Sequence, residues 1–221
     1  MRMRALVTDS SSIISLASSC LLWILPEMDV RLIIPEEVFR ESIERPQKIR
    51  RFMFESDRIS LLVKEGVIQT VSADKSLVSR VESLANNLLF FKTRPLRIMH
   101  RGEIECLAIL LEKNYKYLLV DERTTRLLIE NIDALKNYIQ SRTGYHLKIN
   151  QKVRSELEDM FFDVRVFRSS ELVAYAYEKG LFEKYGENVL EHVLWAVKFG
   201  GCSITTQEIE EYLTLFARME D

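Results

Sequence analysis

Glycine and proline are scarce in this 221-residue chain, seven and four respectively. Neither G-x-x-x-x-G-K-[ST] nor G-x-G-x-x-G occurs, which removes the commonest phosphate-loop and dinucleotide sites. Cysteine is as sparse: Cys20, Cys106 and Cys202 are far apart and lack C-x-x-C spacing, so they read as reduced core residues of an intracellular, cytoplasmic protein rather than a disulfide framework. The only histidines, His100, His146 and His192, are equally scattered. Neither a zinc site nor a Cys/His nucleophile is suggested. No apolar run is long enough to span a bilayer. The uncharged stretch Ser10 to Leu25, behind a basic Met1-Arg-Met-Arg, imitates a signal peptide. Asp9 interrupts the junction, however, and the run falls short of the roughly 20 residues of a membrane span. A soluble protein with no membrane partner is expected. An excess of one charge is missing too: 31 Lys and Arg face 33 Asp and Glu, for a pI near 6.0, so no global positive field advertises nucleic acid.

The distribution is less neutral than the sum. Glu44 to Arg101 holds twelve basic residues against six acidic, and Ser155 to Asp221 six against fourteen. A basic middle and an acidic tail suit two surfaces with different partners, although solvated faces would look the same.

Along the chain, short apolar runs alternate with helical periodicity. Ala5, Leu6 and Val7 form a strand of the kind buried in a parallel sheet, with Asp9 at its carboxyl end. Ile13 to Leu22 follow as a helix that ends before Pro26. A second strand runs to Pro35, whose fixed φ suits the first turn of a helix through Glu44. Helices are expected over Arg45 to Val63 and Leu77 to Phe91, with a strand at Gly66 to Val71 between them and a basic loop from Lys92 to Arg101 behind. Gly102 to Leu111 is apolar on most sides, so it reads as a buried helix with Glu103 and Glu105 in its first turn. Tyr117 to Asp121 repeats the opening: apolar strand, acid at its carboxyl end, then a helix from Thr124. Beyond Asn131 the signal fades. Tyr145 to Val153 and Val164 to Phe167 suit a hairpin or an edge strand, and helices are expected over Glu171 to Lys179, Val189 to Phe199 and Thr206 to Ala217. The alternation argues an α/β fold, a parallel sheet with helices on both faces over residues 1–150. A C-terminal helical extension, residues 151–221, packs on the same domain.

Asp9 alone reads as a helix cap. Its company changes the reading, because Asp9, Glu41, Glu103 and Asp121 all arise at or just after strand ends that a parallel sheet brings to one edge. That edge is where open α/β sheets bind ligands. Gathered acids raise one another's pKa, and a cluster without histidine or thiolate calls for a hard divalent cation, Mg2+ or Mn2+, held through oxygen. The chemistry this suits is metal-assisted hydrolysis of a phosphodiester. Ser10 or Ser11 is placed to hold the Asp9 carboxylate. Lys92, Arg94, Arg97 and Arg101 precede Glu103, where they would bind a polyanionic backbone. A small-molecule phosphatase with an aspartyl nucleophile is disfavoured, because no D-x-D follows Val7.

Four stretches in order, Asp9-Ser-Ser, Pro35-Glu-Glu-Val-Phe-Arg-Glu41, Gly102-Glu103-Ile-Glu105-Cys-Leu-Ala and Leu118-Leu-Val-Asp121-Glu-Arg, resemble the PIN domain, in its archaeal and bacterial branch with a G-E-x-E helix. The resemblance covers about Ala5 to Leu128, and less fully the tail, where SSELVAYAYEKGLF is similar to that branch's C-terminal extension. It implies a Mg2+- or Mn2+-dependent endoribonuclease acting on single-stranded RNA, and frequent homodimers. It further implies that Asp9, Glu41, Glu103 and Asp121 form the metal-binding and catalytic quartet, with Ser11 as the small hydroxyl residue near the substrate and Glu105 and Glu122 as second choices. The chain is longer than the compact toxin members between Glu41 and Gly102 and again after Asn131, so an antitoxin-like partner does not follow. The alternative expectation is a catalytically degenerate PIN-like scaffold that binds RNA or protein.

Overall fold

The computed structural model describes residues 5–220. The basic Met1 to Arg4 segment of the signal-peptide comparison lies outside them. Five parallel strands form the main sheet: β1 (Ala5–Thr8), β2 (Arg31–Pro35), β3 (Ile68–Val71), β6 (Tyr117–Leu119) and β8 (Arg165–Phe167), in the order β3-β2-β1-β6-β8. A second, antiparallel sheet of β5 (Arg94–Pro95), β4 (Leu89–Phe91) and β7 (Leu147–Ile149) stands beside it. The apolar runs of the sequence are the buried strands: Leu6, Val7, Leu32, Ile34, Leu118 and Leu119 are fully buried or nearly so.

The strand order explains the two helical layers. From β1 the chain winds outward through β2 to β3 by way of α1 (Ser10–Ser18), α2 (Ile24–Glu27), α3 (Glu36–Phe39) and α4 (Met53–Lys64). It then returns across the sheet through α5 (Lys75–Asn86) and α6 (Arg101–Glu112) to β6 on the other side of β1. Right-handed crossovers in opposite directions place their helices on opposite faces. Accordingly α6 packs against β1 and β2 with α5 behind it, whereas α1 packs with α4, α10 (Ser169–Glu178) and α11 (Val189–Gly200). The winding reverses between β1 and β6, and the carboxyl ends of these two strands open the crevice that α/β sheets use for ligands.

Several elements differ from the expectation. The first helix stops at Ser18, because the chain turns through a left-handed Cys20 (φ 58), and Pro26 lies inside the one-turn α2. The stretch after Arg45 holds only a 3-10 turn, Pro46–Lys48, ahead of α4. The helix expected to Phe91 ends at Asn86, where Asn87 donates its side-chain amide to the Ser83 carbonyl at 2.8 Å, and Leu89–Phe91 becomes β4. The basic loop is a hairpin: Phe91 pairs with Arg94 across Lys92, which adopts φ 57. Residues 147–149 and 165–167 do not pair with each other. The first joins β4 and the second becomes the edge strand of the main sheet.

Between β6 and β8 run α7 (Arg123–Glu130), α8 (Ile132–Thr143) and α9 (Gln151–Phe161). The tail thus supplies a strand as well as helices. It closes with α11 and α12 (Thr206–Glu220), and Arg168, 6% exposed, pins it. The Arg168 guanidinium contacts Glu171 at 2.6 Å, Glu208 of α12 at 2.8 Å and the Ser203 carbonyl at 3.3 Å, while the Tyr212 hydroxyl donates to Glu171 at 2.9 Å. Among the described residues no helix is long and apolar enough to cross a membrane.

Candidate metal centre

At the carboxyl edge of β1 and β6 a cleft of about 260 Å3 is lined by Asp9, Ser10, Ser11, Glu41, His100, Gly102, Glu103 and Glu122. Asp9 reaches it as the residue between β1 and α1. Its Oδ1 accepts the Ser12 amide at 3.1 Å, capping α1, and its Oδ2 accepts the Ser11 hydroxyl at 2.6 Å. The cap and the cleft position are therefore compatible: one carboxylate serves both, as its four lone-pair sites permit. Burial pushes the Asp9 carboxyl up to about 6, the Ser11 and Ser12 bonds oppose that, and the nearby Asp121 charge adds to it.

Glu103 enters from the first turn of α6. Its Oε2 accepts the His100 amide at 2.6 Å, satisfying one of the orphan donors at the helix start. Burial raises its carboxyl to about 7, with the charges of Glu122 and Asp9 contributing. Glu41 comes from a π-helical turn, Arg40–Glu44, which continues α3. Its Oε2 accepts the Ser10 hydroxyl at 2.7 Å and its Oε1 stands 3.6 Å from the Arg45 guanidinium. Such wide turns recur at functional sites because the extra residue re-aims a side chain. Gly102 makes room for it: a Cβ at position 102 would lie 3.2 Å from Glu41 Oε2 and 3.3 Å from Val38 Cγ2.

The two adjacent acids after β6 part company. Glu122 lines the cleft and caps α7 by accepting the Thr125 amide at 2.8 Å. Asp121, 1% exposed, does not line the cleft. Its Oδ1 accepts the Ser169 amide and its Oδ2 the Ser169 hydroxyl, both at 2.7 Å. Burial raises its carboxyl and the Ser169 bonds pull it back.

Glu105 also stays outside the cleft. It pairs with Arg101 at 2.6 Å and accepts the Glu37 amide at 3.3 Å, tying α6 to α3. Lys92 and Arg94 sit on the exposed β4–β5 hairpin and Arg97 follows it, none of them lining the cleft. His100, exposed on its rim, was not among the expected site residues, since a lone histidine before a helix carries no metal-ligand spacing.

Among the described residues no three Asp, Glu, His or Cys side chains stand close enough to enclose one cation. The donor chemistry is nevertheless that of a hard divalent cation, which is held through oxygen. All four acidic donors present oxygen, and burial raises the carboxyls of two of them, Asp9 and Glu103.

A family model described as a PIN domain matches residues 5–133. The chain belongs to the PIN-domain family. The match spans β1 to the start of α8 and so includes every acid that lines the cleft, while Ser169 and the Arg168 cluster fall beyond it. The parallel sheet with flanking helices is the PIN fold, a nuclease-like one. No curated protein and no solved structure matches the chain.

Proposed function

We propose that this PIN domain is a Mg2+- or Mn2+-dependent endoribonuclease that hydrolyses single-stranded RNA. The observation that carries the reading is the convergence of Asp9, Glu41, Glu103 and Glu122 on one cleft at the switch point of the sheet. Glu122 lines the cleft with the three acids expected there, and Asp121, which the sequence offered as the fourth, is buried with both oxygens accepting hydrogen bonds from Ser169.

Each cleft acid is held by a donor of its own neighbourhood, so the carboxylates are oriented before any ligand arrives. A divalent cation held by Asp9 with Glu103, Glu122 or Glu41 would polarise the phosphate and lower the pKa of water. Glu103 is suited to the proton transfer itself. Its Oε1, the oxygen not taken by the His100 amide, can receive the proton of the attacking water. Ser10 and Ser11, at the cleft wall, use their hydroxyls to hold the Glu41 and Asp9 carboxylates.

The test is cleavage of a labelled single-stranded oligoribonucleotide with Mn2+. Asp9→Asn and Glu122→Gln should each lower kcat at least a hundredfold, and Glu122→Gln should also weaken Mn2+ binding in calorimetry. Wild-type rates in either variant would refute the assignment. A non-catalytic scaffold on the same fold draws on one observation, the Arg45 guanidinium beside Glu41. On that reading the wild-type protein binds no Mn2+.

A further inference from the structure

Asp9 is linked to the C-terminal segment by a buried chain of hydrogen bonds. Ser169, at the start of α10, donates its amide and its hydroxyl to the Asp121 carboxylate, each at 2.7 Å. The Asp121 amide donates to the Ser12 hydroxyl at 2.8 Å, and the Ser12 amide donates to Asp9 Oδ1 at 3.1 Å. All four residues are 4% exposed or less, with Ser12 and Ser169 at zero. The middle link, from the Asp121 amide to the Ser12 hydroxyl, crosses between the ends of β6 and β1, which run in register with Thr8 beside Leu119. Ser169 is also fixed from its other side, because Arg168 grips Glu171 on α10 and Glu208 on α12.

We propose that Ser169 and Ser12 are positioning residues for Asp9, with Asp121 as the buried anion that joins them, so that the C-terminal helices complete the centre. This rests on the reading of the cleft as a metal-dependent nuclease. The physical basis is the steep cost of an unmade bond in a dry site: removing the Ser169 hydroxyl takes a 2.7 Å bond from one oxygen of a buried carboxylate. Asp121 then shifts toward another partner, and the strand end that presents the Ser12 hydroxyl and the Asp9 cap moves with it. Outer-shell partners of this kind typically contribute ten- to a hundredfold to metal affinity or activity.

A purely structural bond would behave differently, and Ser170 provides the control. It is as buried as Ser169, and its hydroxyl meets Glu171 at 3.3 Å instead of the Asp121 carboxylate. In the full-length protein, Ser169→Ala should weaken Mn2+ binding about tenfold or more by calorimetry, Ser169→Thr should restore it, and Ser170→Ala should lower the melting temperature without changing Mn2+ affinity. Ser169→Ala with Mn2+ affinity within twofold of wild type overturns the proposal. So does an equal loss in Ser169→Ala and Ser170→Ala.

Amide hydrogen exchange on the metal-free protein separates this proposal from the nuclease reading. Ser169→Ala should deprotect the Ser12 and Asp121 amides by at least tenfold more than the Leu32 amide in the middle of β2. Selective deprotection supports the positioning chain even in a protein that cleaves no RNA. Uniform deprotection refutes it even in one that does.

Discussion

At the scale of single residues, the centre stores electrostatic energy that pH and cations should release. Asp9 and Glu103 have folded-state carboxyls near 6 and 7, against ordinary values of 3.8 and 4.5. The folded protein therefore binds these protons more tightly than the unfolded chain. Their contribution favours folding below about pH 4 and is lost as pH rises through 6 to 7, where both must ionise in a buried site. Asp9→Asn keeps an oxygen for the Ser12 amide and discards the charge. In metal-free protein it should raise stability at pH 8 by on the order of 2 kcal/mol, with the gain vanishing near pH 4, as urea melts at the two pH values will show. On the proposed function protons and metal compete for the same oxygens, so Mn2+ affinity should climb steeply between pH 5.5 and 7.5. A calorimetric affinity flat across that range would argue against Asp9 and Glu103 as the receiving groups. Gly102 offers a cleaner lesion. Gly102→Ala gains up to about 1 kcal/mol of helix propensity yet presses on the Glu41 carboxylate at 3.2 Å. The melting temperature should move by no more than a few degrees while the proposed ribonuclease activity falls tenfold or more.

Elements show which features the sequence could disclose. The strands ending at Thr8, Pro35 and Leu119 were legible because each is a short apolar run, largely buried, with acids at its exit. α6 announced itself through apolar residues on nearly every side. The choice between Asp121 and Glu122 was not legible, since the two differ by one residue and point to different partners only once α10 is in place. β4 was hidden inside an expected helix, and β7 and β8 were legible as strands, β8 as an edge strand, without their partners: three-residue strands have no period of their own and pair with residues far along the chain. The basic middle also reads differently in three dimensions. Arg45 pairs with Glu37 and Glu41, Arg80 with Glu156 of α9, and Arg101 with Glu105. Part of the apparent charge asymmetry is thus cancelled by folding. The α10–α12 junction carries its own prediction. Removing Arg168, whose side chain is 7% exposed, strands Glu171 and Glu208 without their cation, so Arg168→Met should cost about 3 kcal/mol in urea unfolding. Glu208→Gln, which leaves Arg168 its Glu171 partner, should cost less than half as much.

For the molecule as a whole, the sheet joins what the family match divides. Residues 5–133 carry β1, β2, β3 and β6, but the edge of the sheet is β8, which pairs with β6 through Tyr117, Leu118 and Leu119. Constructing a minimal domain from the matched residues would strip that edge and uncover a row of unpaired backbone groups flanked by apolar side chains. Exposed, apolar edges recruit other chains. A fragment of residues 5–133 should therefore aggregate or sediment as large oligomers at micromolar concentration, while the full chain does not, a contrast that analytical ultracentrifugation reads directly. Proteolytic clipping within α8 or α9 would have the same result by another route, converting the folded molecule into seeds for assembly. The tail in this light acts as a resident chaperone for its own sheet, and its loss would inactivate by precipitation before any carboxylate was disturbed.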